Sequence, residues 1–141
     1  MTGRSGATAL IGSLVFLVIT FFEQIPVVGW LGALASFAAW FWLAGEVRHG
    51  GGSVVDAAVT GAVTGLVGAV SAWMLQVGNL FGADTPGLAR FGAGLGTIGA
   101  SVFLVLWPIV GACVCAAAAA LRATRRAGVL TSGRPGGTER G

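Results

Sequence analysis

Few side chains in this sequence could do chemistry: Glu23, Glu46, His49, Asp56, Asp84, Arg90 and the pair Cys113 and Cys115. His49 is the only histidine, so a metal centre would need several carboxylates converging on it. Cys113 and Cys115 stand two apart, which on a helix turns them to nearly opposite sides. While helical they can neither chelate one ion nor close an ordinary disulfide, and a free cysteine packs like a small apolar residue. The stretch Gly92-Ala93-Gly94-Leu95-Gly96 has the glycine content of a phosphate loop, yet no Lys-Ser or Lys-Thr follows and no strand precedes it. Glu46, Arg48, His49 and Asp56 could gather as a small polar site, although a solvated loop and a helix cap use the same residues. No nucleophile stands beside a base. The expectation is a protein that is not an enzyme and holds no cofactor and no metal.

What separates these residues is more informative than the residues themselves. Four runs carry no charge: 5–22, 24–45, 57–83 and 91–121. At about 1.5 Å rise per residue, an apolar run of about 18 residues crosses a hydrocarbon core of about 30 Å. Hydrophobic residues make up 55% of the chain, charged ones 9%, and mean hydropathy is +0.88. The expected fold is all-α, an integral membrane bundle of four transmembrane helices over residues 6–24, 27–45, 54–80 and 91–121. Every ionisable group then lies at a span end or in a loop, and none near the midplane, where a proton relay or ion pathway would need it. Residues 1–122 form one transmembrane domain, and 123–141 a polar Gly/Arg-rich cytoplasmic tail expected to be disordered.

Charge placement sets the orientation. Arg4, Arg48, Arg122, Arg125, Arg126, Arg134 and Arg140 fall on one side of such a bundle and Arg90 alone on the other. Basic residues favour the cytoplasmic face, so both termini are expected inside. This accounts for the pI near 10.2 without nucleic acid as a partner. Arg122, Arg125 and Arg126 are expected to serve as lipid and topology anchors, where each can meet an anionic headgroup. Arg4 followed by an apolar stretch, with Ala33-Leu34-Ala35 beyond it, has the order of a cleaved signal peptide. That motif lies inside a second apolar run, so retained spans are the better account.

Local signals place the helix ends. Ser53 can cap the third helix while Asp56, three residues on, answers its free amides. Gly50-Gly51-Gly52 before it reads as a flexible loop. Thr85-Pro86 reads as a second start, and Pro108 as a kink in a fourth run that would otherwise extend about 46 Å. Phe21, Phe22, Trp30, Phe81 and Phe91 fall at one expected membrane edge and Trp40, Phe41 and Trp42 at the other, as interfacial belts. An aromatic pocket at residues 40–42 is the weaker reading, because positions 40 and 42 point about 200° apart on a helix.

Small residues at intervals of four form the richest pattern. The third span has Ala57, Gly61, Gly65 and Ala69, with Gly68 beside them. The fourth has Gly92, Gly96 and Ala100, then Gly111, Cys115 and Ala119. Such rows let backbones approach, which is a main source of helix association in lipid. The expected packing residues are Gly61, Gly65, Gly68, Gly92 and Gly96. Together these features imply a non-catalytic membrane protein acting as a scaffold, an accessory subunit or an envelope or virion membrane component. A holin-like pore-former is the alternative, and a membrane enzyme or transporter is disfavoured. The expected partners are the lipid bilayer and either itself or another membrane subunit. The expected location is the cytoplasmic membrane of a prokaryote or a virion membrane derived from it.

Overall fold

Runs rich in Ala, Leu and Val favour the conformation that satisfies every backbone amide within one segment. The computed structural model describes residues 3–23, 29–81 and 87–132, and the regular elements there are four helices. They are α1 (Gly3–Glu23), α2 (Gly29–His49), α3 (Val54–Phe81) and α4 (Gly87–Ser132). Two of them, α3 over Val54–Gly78 and α4 over Arg90–Arg125, are long and apolar enough to cross a membrane. Within α1 the apolar stretch Gly6–Thr20 is shorter. The start expected at Thr85-Pro86 lies outside the described residues.

Contacts fix the directions. Gly12 of α1 lies against Leu43 of α2, and Phe16 stacks on Trp40 with ring centroids 5.1 Å apart, so α1 and α2 are antiparallel. Gly12 also meets Thr64, and Phe16 meets Gly68, so α1 and α3 run parallel. Gly61 faces Gly111, Gly65 faces Trp107, and Gly96 faces Gln76, which makes α3 and α4 antiparallel. The start of α1, the end of α2, the start of α3 and the end of α4 therefore share one end of the bundle. The α3 and α4 pairing is the most extensive, and among the described residues α1 and α4 do not meet.

The α2 to α3 turn is tighter than the flexible loop expected from three glycines. Gly52 donates its N–H to the carbonyl of Val47 at 2.8 Å, and Gly51 donates to Arg48 at 3.2 Å. With Gly51 at φ +80°, this is a Schellman closure, a conformation only glycine adopts without strain. The next helix starts at once. Ser53 N–H donates to Asp56 Oδ2 at 2.9 Å and Asp56 N–H donates to Ser53 Oγ at 3.1 Å, a reciprocal capping box.

At the other end of the chain helix continues into the stretch from residue 123 that is expected as a polar tail. α4 runs through Pro108 and past residue 121 to Ser132. Arg, Ala and Leu make up half of residues 123–132, and adding a residue to an existing helix costs far less than starting one. Residues from 133 onward lie outside the described part.

Candidate functional site

Among the described residues the tightest backbone-to-backbone approach between helices is a seam between α3 and α4. A methyl group added at Gly61 would collide with the carbonyl oxygen of Gly111, and one added at Gly111 would collide with the carbonyl oxygen of Gly61. One turn along, a Cβ at Gly65 would lie 2.8 Å from the Trp107 carbonyl oxygen and 3.0 Å from Pro108 Cα. The missing side chain of Gly65 is what admits the proline-bearing turn of α4. Backbones this close gain van der Waals contact and weak Cα–H to carbonyl attraction along the seam.

Gly111 also leaves room for the one large side chain in this region. A Cβ there would stand 2.9 Å from Trp40 Cε2 and Cζ2. Trp40 is fully buried, so its expected place in an interfacial belt is corrected. Its ring stacks on Phe16, and Trp107 lies 5.2 Å away, centroid to centroid. Its single polar atom is met, because Nε1–H donates to Thr64 Oγ1 at 3.2 Å. Cys115, also buried, donates its thiol to the Trp40 carbonyl at 3.4 Å. Phe41 and Trp42 are exposed, as are Phe81 and Phe91.

The other glycines of the expected packing set behave differently. Gly68 has Phe16 Cδ1 and Thr20 Oγ1 at 3.4 and 3.5 Å from a built Cβ, which is ordinary contact. Gly96 has only Gln76 nearby, with Oε1 at 3.1 Å, and Gly92 has nothing within 4 Å. Gly68 and Gly96 line a cavity of about 610 Å³, together with Thr20, Phe37, Gln76 and Phe103. There small side chains leave space, whereas at Gly61 and Gly65 they close it. Gly12 and Gly45 are tight positions that row-reading missed; a Cβ at Gly12 would sit 2.9 Å from Leu43 and Thr64. Neither belongs to a row of small residues, so spacing alone gives no signal for them.

Polar groups inside the bundle are engaged locally. Thr60 Oγ1 donates to the Asp56 carbonyl at 2.8 Å, Thr64 to Thr60 at 2.9 Å, and Thr20 to Phe16 at 2.8 Å. Each hydroxyl is bonded one turn back on its own helix. Between helices, Trp73 Nε1–H donates to Ser101 Oγ at 3.2 Å. In the α2 to α3 turn, Arg48 Nη1 donates to the Gly52 carbonyl at 3.0 Å and His49 Nδ1 lies 2.8 Å from the Gly45 carbonyl. Asp56 is occupied with Ser53, so these residues brace the turn. Among the described residues no three His, Cys, Asp or Glu come together in a way that could hold a metal.

Arg122 and Arg125 lie near the end of α4 that shares its level with this turn; the side chain of Arg126 is outside the described part. Arg125 is exposed. The Arg122 guanidinium is tucked over the backbone of Gly45, with Nη1 enclosed and without a hydrogen-bond partner.

No protein-family model matches the chain, and no curated protein or solved structure is found to be similar to it. Function has to rest on the geometry above.

Proposed function

We propose that this chain is a non-catalytic integral membrane protein, that all four helices cross the bilayer with both termini cytoplasmic, and that it works by holding a membrane partner. One observation carries the reading: the outside of the bundle is as apolar as its core, and the few buried polar side chains are hydroxyls. Thr20, Ser36, Thr60 and Thr64 are buried, while Leu10, Leu34, Ile98 and Val105 are each more than half exposed. Large apolar side chains cover the outside of every helix. A water-soluble protein seldom exposes so continuous an apolar surface, whereas a bilayer takes it as its natural contact.

Two further features support the multi-pass form. The charge-free runs ending at Gly45 and Leu121 reach the same level, because Gly45 and Arg122 touch. The end of the bundle at which α1 begins and α4 finishes also carries Arg48, Arg122 and Arg125, while Arg90 sits at the opposite end. For a partner surface, the outer half of α4 offers Gly92 and Gly99 with open space above them, so another helix can approach its backbone.

Induced expression in a bacterial host tests this reading against the pore-forming alternative. The scaffold reading expects steady accumulation in the membrane fraction, resistance to alkaline extraction and an intact membrane potential. Abrupt loss of potential after a delay places pore formation first. Recovery in the soluble fraction overturns both.

A further inference from the structure

We propose that Arg122, resting on Gly45, is the core of a binding site for a phosphate-bearing anion where α2 and α4 meet at the cytoplasmic end of the bundle, with an anionic phospholipid headgroup as its ligand. The inference begins from an unsatisfied group. Arg122 Nη1 is enclosed and has no hydrogen-bond partner. A buried donor left unpaired is costly, more so when it carries charge, and calls for an explanation at each place it occurs.

The seat is specific to this pair of residues. A Cβ at position 45 would collide with Nη1 and would stand 3.0 Å from Cζ and 3.2 Å from Nη2, so any residue but glycine evicts the guanidinium. The Gly45 carbonyl has His49 Nδ1 at 2.8 Å, and no acceptor reaches Arg122 Nη1. Arg122 Nη1 therefore lies against α2 without a hydrogen bond. Arg122 is the first charge after the long neutral run of α4, at the depth where lipid phosphates begin.

A phosphate arriving at that depth meets a planar fork of donors that matches two of its oxygens. Rotation of the terminal torsions of Arg122 lifts the fork off Gly45 and exchanges an enclosed, unpaired Nη1 for a two-point bond. Arg125, exposed and one turn further along the same helix, adds favourable charge beside it. The seat on Gly45 is the resting position, and the lipid-bound position is the satisfied one.

The test uses the full chain in a neutral detergent, with phosphatidylglycerol, phosphatidylcholine or inorganic phosphate added, and follows thermal unfolding. Phosphatidylglycerol should raise the Tm of the parent by about 3 °C, and phosphatidylcholine should not. Arg122→Gln should lose that rise while matching or exceeding the parent in detergent alone, because it removes the enclosed unpaired donor. This reversal separates a binding role from a merely structural one. Arg125→Gln should keep most of the rise. An unchanged rise in Arg122→Gln, or an equal rise with phosphatidylcholine, overturns the site. Equal losses in the two variants reduce the effect to diffuse surface charge and also overturn it. A full rise with inorganic phosphate alone keeps the anion site and overturns the lipid as its source. The inference rests on the membrane reading but fails separately: a membrane-embedded chain indifferent to Arg122→Gln keeps that reading and loses this one.

Discussion

Gly61 and Gly111 face each other so closely that a methyl group on either one strikes the carbonyl oxygen of the other. Neither backbone can give way alone, since each is held in a helix. Gly61→Ala and Gly111→Ala should each destabilise the bundle by about 1–3 kcal/mol, the usual cost of overfilling a packed interior. Gly78→Ala is the control: a Cβ there meets nothing within 4 Å, and alanine is the better helix former, so stability should hold or rise by up to about 1 kcal/mol. Unfolding in detergent distinguishes the two outcomes, and equal behaviour of Gly61→Ala and Gly78→Ala would remove the seam.

The Trp40 indole should contribute through both its ring and its N–H. Thr64→Val leaves the ring in place and strips Nε1–H of its acceptor, at a cost of about 1–3 kcal/mol. Trp40→Phe with Thr64→Val should cost less than the two single changes added together, because the pair is then absent from both sides. Strict additivity in that double-mutant cycle means the 3.2 Å contact carries no coupling.

Ser53→Ala should lower stability by about 1 kcal/mol by freeing an amide at the start of α3. Asp56→Asn should leave partner binding untouched, since its carboxylate is turned onto Ser53 at 2.9 Å. Loss of function in Asp56→Asn at unchanged stability would instead give the turn a direct role.

Single cysteines at positions 2, 85 and 138, placed in a Cys113→Ser, Cys115→Ser background, report on orientation. An impermeant thiol reagent applied to intact cells should label position 85 alone. Labelling at 2 or 138 reverses the proposed topology. Cys115→Ser is a mild change here because a hydroxyl can still donate to the Trp40 carbonyl.

The sequence made some of this architecture legible and hid the rest for a definite reason. Charge is scarce and sits only at helix ends, so the four neutral runs mark four helices, and Ser53 with Asp56 marks where α3 begins. Gly61 and Gly65 stand out because small residues recur on one face. The inward face of α2 does not stand out. In a helix that is apolar all round, the contrast that separates inside from outside vanishes, so Trp40 and Trp42 look alike in sequence. Which of them is buried depends on Gly111 and Thr64, residues far away in the chain. The Gly45 and Arg122 contact was illegible for the same reason, being a meeting of two helices whose relative height only the fold supplies. The extension of α4 to Ser132 does not stand out either, because half of residues 123–132 are Thr, Gly, Val or Ser, which favour a helix little by themselves.

Thr20, Thr60 and Thr64 bond to carbonyls on their own helices, and that bears on how the protein is made. A helix whose hydroxyls are already satisfied can reside singly in lipid without offering an open donor to the wrong neighbour. On the proposed membrane reading, these hydroxyls need no second helix at insertion, whereas Trp40 and Trp73 gain acceptors for their indole N–H groups only on assembly. What assembly then adds is fit of shape, above all at the Gly61 and Gly111 backbones of α3 and α4.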